Sequence, residues 1–195
     1  EERLPSREGF PGSPRSVAVA QTCPVAGDVL ANTEEHVRLA RLAAAEGAGV
    51  VMFPELSLIG YELEPAGRLA FSEGDDRLAP LLDAGAPDGV TLVVGAAARL
   101  GDALHIGAFV VYPDRTTDLY TKRRLGAFPP GAACDSLTGA VPPAEATVFR
   151  PGDRDPLVRL GTHVAAVAVC ADIGNPAHPE RAVGWGATPT WRACS

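Results

Sequence analysis

Three polar residues, far apart in the chain, each close a run of apolar ones: Glu55 after VVMFP, Lys122 after DLYT, and Cys170 after VAAVAV. A carboxylate, an ammonium and a thiol gathered at strand ends would make an acyl-transfer site. The carboxylate can take the thiol proton and later hand it to a departing amine. The ammonium, kept charged, can stabilise the oxyanion of a tetrahedral intermediate together with the backbone N–H of Ala171. Each residue alone also has a plainer reading. A lone cysteine in a strand is usually packing, since cysteine is among the most often buried residue types. Glu55 can cap the segment after Pro54, and Lys122 can be a solvated charge beside Arg123 and Arg124. Spacing by itself leaves both readings open.

The elements that must carry these residues follow from the apolar pattern. VAAVAVCAD, residues 164–172, is apolar without alternation, which predicts a strand buried on both faces in a parallel sheet covered by helices. Cys170 falls at its carboxyl end, where open α/β folds gather catalytic groups. Earlier, residues 16–21 predict a short strand and residues 24–28 a turn. Asn32-Thr33-Glu34-Glu35 looks like a capping box opening a helix that runs to Glu46 and ends at Gly47. Residues 49–53 predict a second strand, so the opening is a βαβ unit with parallel strands. Residues 73–84 form a weaker helix candidate interrupted by Pro80. Strands at 90–98 and 104–112 flank the turn signal Gly101-Asp102 as a hairpin, and a further strand covers 118–122. Residues 123–143 are rich in Gly, Pro and Ala, a length of loop more often functional than idle. Residues 147–149 and 157–160 predict short strands, and the polar residues 1–14 a disordered extension.

Several stretches together resemble the nitrilase (carbon–nitrogen hydrolase) superfamily. FPELSLIGY at 53–61, YTKRRL at 120–125 and CAD at 170–172 are similar to its three catalytic blocks, in the right order. AVAQTCPVAGD at 18–28 and GAGVVMFPE at 47–55 are similar to the family's opening. EATVFRPG at 145–152 is similar to its E…FxPG segment, whose glutamate is a second acid near the lysine. The resemblance covers residues 15–187. It implies an αββα four-layer sandwich, with Glu55 as general base and acid, Lys122 as oxyanion stabiliser, Cys170 as nucleophile and Glu145 as an auxiliary carboxylate. It further implies hydrolysis of a small amide or N-carbamoyl compound through a Cys thioester, releasing ammonia and an acid, with no cofactor or metal. The alternatives are a nitrilase acting on a small nitrile, and an inert remnant of the fold. Family members are commonly dimers or larger, joined partly through helices near the nucleophile.

Composition narrows the classes. The chain of 195 residues is 46% hydrophobic and 21% charged, with a net charge of −7 and no basic run beyond Lys122-Arg123-Arg124. That argues against a nucleic-acid partner and against an anionic membrane surface. No apolar run has the length of a membrane span, and the start EERLPSREGF is unlike a signal peptide. Four irregularly spaced cysteines fit neither a disulfide framework nor a CxxC metal site, so a cytoplasmic compartment is expected. Cys170, Asp172 and His178 match no common zinc spacing. Asp172 is more simply a residue that fixes local backbone. His36, His105 and His163 are expected to be surface or structural, and Cys23, Cys134 and Cys194 bystanders. After a helix start at His178-Pro179-Glu180, the chain should enter an apolar strand but reads TPTWRACS over 188–195. The expectation is therefore a disordered extension (1–14), a partial hydrolase domain (15–187) and an atypical tail (188–195), incomplete at the C-terminus and poorly active in this short form.

Overall fold

The computed structural model describes residues 16–127, 144–160 and 163–187. The expected extension, most of the long Gly/Pro loop, Cys134 and the tail with Cys194 lie outside the described residues. The chain opens with β1 (Val17–Val19), α1 (Val29–Ala45) and β2 (Val50–Met52), and β1 and β2 pair in parallel as expected. α1 starts earlier than the capping-box pattern predicts. Asp28 is the cap, accepting from Ala31 N at 3.1 Å, and Asn32 lies inside the first turns. Both residue types cap well, so local sequence does not decide between them. Tertiary contacts do, because Asn32 is buried and bonded elsewhere. The C-terminus behaves as predicted. Gly47 takes φ +81°, its N–H donates to Ala44 O, and Ala48 N donates to Ala43 O, closing a Schellman motif.

A short α2 (Ala66–Leu69) and a 3₁₀ turn (Asp76–Leu78) lead into α3 (Ala79–Gly85). Pro80 sits in the first turn of α3, where its missing N–H costs nothing, so it starts this helix rather than interrupting one. β3 (Thr91–Leu100) and β4 (Ala103–Val111) form the expected hairpin, and β5 (Thr117–Thr121) completes a sheet of order β1-β2-β3-β4-β5. β2 and β3 are parallel, while β3, β4 and β5 are antiparallel.

β6 (Leu157–Leu160) and β7 (His163–Ala166) make a second, two-stranded sheet. Here two expectations are corrected. β7 pairs antiparallel with β6, not in a parallel sheet, and it ends at Ala166, well before Cys170. The unbroken apolar run reported burial, which is real from Ala165 to Val169, but burial carries no information on strand direction. Residues 147–149 are not a strand: Glu145–Thr147 is a 3₁₀ turn. α4 (Ala177–Gly184) follows the turn that begins at Cys170.

The layers run helix, sheet, sheet, helix. Side chains alternate across each strand, so Val158, Ala165 and Val167 pack with the core of the larger sheet, while Leu157 and Ala166 meet Ala182 and Ala187 beside α4. β3 lies between the larger sheet's helices and the second sheet, and residues 92–98 are buried throughout. No described helix is long and apolar enough to cross a membrane.

Candidate active site

Glu55 stands where β2 gives way to a tight turn. Phe53 N still donates to Val93 O at 2.9 Å, and beyond Pro54 the chain turns back with Leu56 at φ +54°. A leucine there is strained. Leu56, Leu58 and Ile59 are fully buried, and at roughly 1.5–3 kcal/mol each this burial outweighs the strain. β3 passes directly beneath. A Cβ on Gly95 would lie 2.2 Å from Pro54 O and 2.6 Å from Leu56 N, so only glycine allows this approach. Its carbonyl accepts from Leu58 N at 3.0 Å. α1 holds the turn from the other side. Asn32 Nδ2 donates to Leu58 O at 3.1 Å, and the His36 Nε2 meets Ser57 Oγ at 2.8 Å. His36 also stacks on Phe53 at 4.1 Å between ring centroids. Burial lowers its pKa to about 4, leaving it a neutral structural residue.

Lys122 follows β5. Its N–H donates to Ile106 O and its carbonyl accepts from Gly152 N, both at 2.8 Å. The side chain is 0% exposed and ends between two carboxylates, with Nζ 2.6 Å from Glu55 Oε1 and 2.8 and 2.9 Å from the Glu145 oxygens. Glu145, 1% exposed, is fixed further by Tyr61 Oη at 2.8 Å and by Gly126 N at 2.6 Å. A Cβ on Gly126 would come within 2.9 Å of that carboxylate. Burial opposes the Lys122 charge, but Glu55 and Glu145 outweigh it and hold the ammonium above the ordinary lysine pKa. Burial pushes the Glu55 carboxyl up, against the pull of Lys122, and the Glu145 charge pushes the same way.

Cys170 opens a 3₁₀ turn (Cys170–Gly174) with φ +47°, in the left-handed region that few non-glycine residues adopt. The thiol is half-buried, and Glu55, Lys122 and the Ala171 N–H are near enough to act on its titration. Burial and the Glu55 charge raise its pKa, against Lys122. A thiol held this way needs a base before it can act as a nucleophile. A narrow apolar pocket lined by Phe53, Glu55, Gly95, Gly107, Val167 and Cys170 opens at this point.

The sequence-predicted residues Glu55, Lys122, Glu145, Ala171 and Cys170 are thus brought to one place from four separate segments. Tyr61, Gly95 and Gly126 belong to the same site. Tyr61 lies within the FPELSLIGY block, but its hydrogen bond to Glu145 spans 84 residues of sequence. Asp172 is 1% exposed and accepts from Tyr120 Oη, Arg123 N and Arg124 N, so it does fix backbone. His178 is buried edge-on to Tyr120, outside the carboxylate–lysine cluster. His105 lies at the surface, its Nδ1 2.9 Å from Arg150 O, and Cys23 is an exposed free thiol. The His163 side chain lies outside the described residues. Among the described residues, no three His, Cys, Asp or Glu side chains are grouped to hold a metal ion.

This arrangement sits within the carbon–nitrogen hydrolase family, to which the chain belongs: the family's model matches residues 16–180. A curated relative, the glutamine-dependent NAD(+) synthetase of Thermotoga maritima, is 30% identical over 87% of this chain and 28% of its own length. The aliphatic nitrilase of Sinorhizobium fredii is 32% identical over 50% of this chain and 38% of its own. Among solved structures, an amidase from Nesterenkonia sp. superposes with a TM-score of 0.73 at 21% identity, over 95% of this chain and 66% of that one. That likeness shows the nitrilase-type α/β fold. The chain spans about a third of the length of the curated relatives it matches.

Proposed function

We propose that this chain carries the catalytic unit of a carbon–nitrogen hydrolase that cleaves a small non-peptide amide. The observation that supports it most is the buried Lys122 ammonium held between Glu55 and Glu145, with Glu55 and the Cys170 thiol lining one pocket. The Cys170 sulfur attacks the amide carbon while its proton passes to Glu55. Lys122 and the Ala171 N–H stabilise the resulting oxyanion. The carbon–nitrogen bond breaks, Glu55 returns the proton to nitrogen, and ammonia leaves a thioester on Cys170. Water then gives a proton to Glu55 and attacks the thioester. The tetrahedral adduct expels the Cys170 thiolate, which regains the proton, and the carboxylic acid departs. Glu145 keeps Lys122 charged and aimed. The steps use no metal or organic cofactor.

The likeness to a glutamine-dependent synthetase makes the side-chain amide of glutamine the first substrate to try. The test is ammonia release from glutamine, simple aliphatic amides and N-carbamoyl compounds. It is run on the chain and on the chain extended with the C-terminal portion of a relative. No release across the panel by the folded, extended protein would sink the proposal. The likeness to an aliphatic nitrilase supports a second reading, hydrolysis of a small nitrile. Acid formed from a nitrile, with the matching amide untouched, would favour it. We further propose a cytoplasmic enzyme that acts as a homo-oligomer.

A further inference from the structure

Lys122 and Cys170 arrive from segments with no local continuity, one leaving β5 and the other opening the turn after β7. A single buried carboxylate ties the two together. Asp172 Oδ2 accepts from Tyr120 Oη at 2.6 Å, and Oδ1 accepts from Arg124 N at 2.7 Å and Arg123 N at 3.2 Å. These donors bracket Lys122, one lying two residues before it and two directly after. On the other strand of the tie, Asp172 lies two residues past Cys170, and its own N–H donates to Val169 O at 3.1 Å, on the far side of Cys170. A second, longer contact joins the same segments, from the Arg124 guanidinium to Gly174 O at 3.5 Å.

The donors matter as much as the distances. The Arg123 side chain is engaged with Asp155 and the Asp153 carbonyl, so the buried charge of Asp172 rests on a hydroxyl and two backbone N–H groups. Hydrogen bonds to an ionised acceptor are short and directional, and two of them end on backbone. They therefore fix main chain, not merely a side chain. The Cys170 backbone at φ +47° is strained, and such a conformation persists only where surrounding contacts over-determine it. We propose that Asp172 is a positioning residue that sets the separation of the Lys122 ammonium and the Cys170 thiol. This rests on the reading of those two as oxyanion stabiliser and nucleophile.

The experiment is iodoacetamide labelling of the whole chain across pH, with the Cys170 peptide followed by mass spectrometry. Cys23, exposed on the loop after β1, serves as internal reference. The thiol titrates according to its distances from Glu55 and Lys122, so a displaced turn moves the profile. Asp172→Ala is expected to shift the Cys170 midpoint by about 0.5 pH or more, without moving that of Cys23. Asp172→Asn keeps an oxygen for both backbone donors and is expected to stay within about 0.2 pH of the parent. A Cys170 profile in Asp172→Ala that superposes on the parent overturns the proposal, as does Asp172→Asn shifting as far as Asp172→Ala. Should Asp172→Ala not fold by circular dichroism, Tyr120→Phe is read instead. It frees one Asp172 oxygen, and its profile is expected to move by about 0.2 pH or more; superposition again overturns the proposal. Absence of ammonia release from every amide would count against the functional reading and leave these profiles decisive for the tie.

Discussion

Two carboxylates share one buried ammonium, Lys122, and the titration of Glu55 should show it. Removing Lys122 would leave Glu55 and Glu145 facing each other without a cation, a loss on the order of 3–5 kcal/mol. Lys122→Ala should therefore cost stability as well as rate, and urea midpoints must accompany its kinetics. Cys170→Ala is expected to abolish turnover, because no covalent intermediate can form. Glu55→Gln and Lys122→Ala should each lose at least about 100-fold in kcat, the scale for removing a general base or an oxyanion donor. His178→Ala, outside the cluster, should lose far less. If His178→Ala matched Cys170→Ala while Lys122→Ala stayed active, the roles are wrongly assigned. The pH profile gives a second check. Glu55 must be ionised to take the thiol proton, and its pKa is raised by burial and by Glu145. The acid limb of kcat/KM should then lie above about 4.3, the ordinary glutamate value. Glu145→Gln removes one of the charges opposing ionisation, so this limb should move to lower pH even as the rate falls. A limb that moved upward would mean that Glu145 supports Glu55 instead of opposing it.

At the scale of elements, the turn carrying Glu55 is suspended between α1 and β3, and both supports can be tested. Gly95→Ala would drive a Cβ to 2.2 Å from Pro54 O. A loss of about 1–3 kcal/mol in urea unfolding is expected, the range for overpacking, together with a lowered kcat. Unchanged stability and rate would mean that the turn yields easily. His36 links stability to pH. Its pKa falls from the free value near 6.5 to about 4 in the fold. Between those values the unfolded chain binds the extra proton, so stability rises with pH there. The His36 contribution is full above about 6.5 and is lost as pH falls toward 4, on the order of 3–4 kcal/mol. His36→Gln should flatten that part of the stability profile, measured by urea midpoints from pH 4 to 7. An equally steep slope in the variant would assign the dependence to other groups.

These supports also mark what the chain disclosed before folding. The βαβ opening, the hairpin around Gly101-Asp102 and the end of α1 at Gly47 were legible because periodicity, turn chemistry and a C′ glycine are local signals. The residue types gathered at the pocket were legible in the motif blocks. Gly95 under Pro54, Gly126 against Glu145 and the Tyr61 hydroxyl were not, since each meaning lies in a neighbour distant in sequence. The start of α1 is not legible, since two good caps, Asp28 and Asn32, compete and a tertiary contact decides. The kind of sheet that holds β7 is not legible, because an apolar run records burial and not the direction of its partner.

For the molecule as a whole, the layered order places the pocket where the two sheets meet, with Glu55 and Gly95 from one and Val167 and Cys170 from the other. α4 lies just beyond the Cys170 turn, and Val183 on it and Trp185 at its end are 67% and 49% exposed. Under the proposed assembly these residues are buried between copies. Size-exclusion chromatography should show a dimer or larger, and Trp185→Glu should shift it toward monomer; identical elution of the two would detach α4 from assembly. The claim on which everything else depends is covalent catalysis by Cys170. It is tested most directly by ammonia release from glutamine and small amides, comparing the extended parent protein with its Cys170→Ala variant. The parent should release ammonia from at least one of these amides and the variant from none. Release by both at similar rates, or by neither when both are folded, would contradict it.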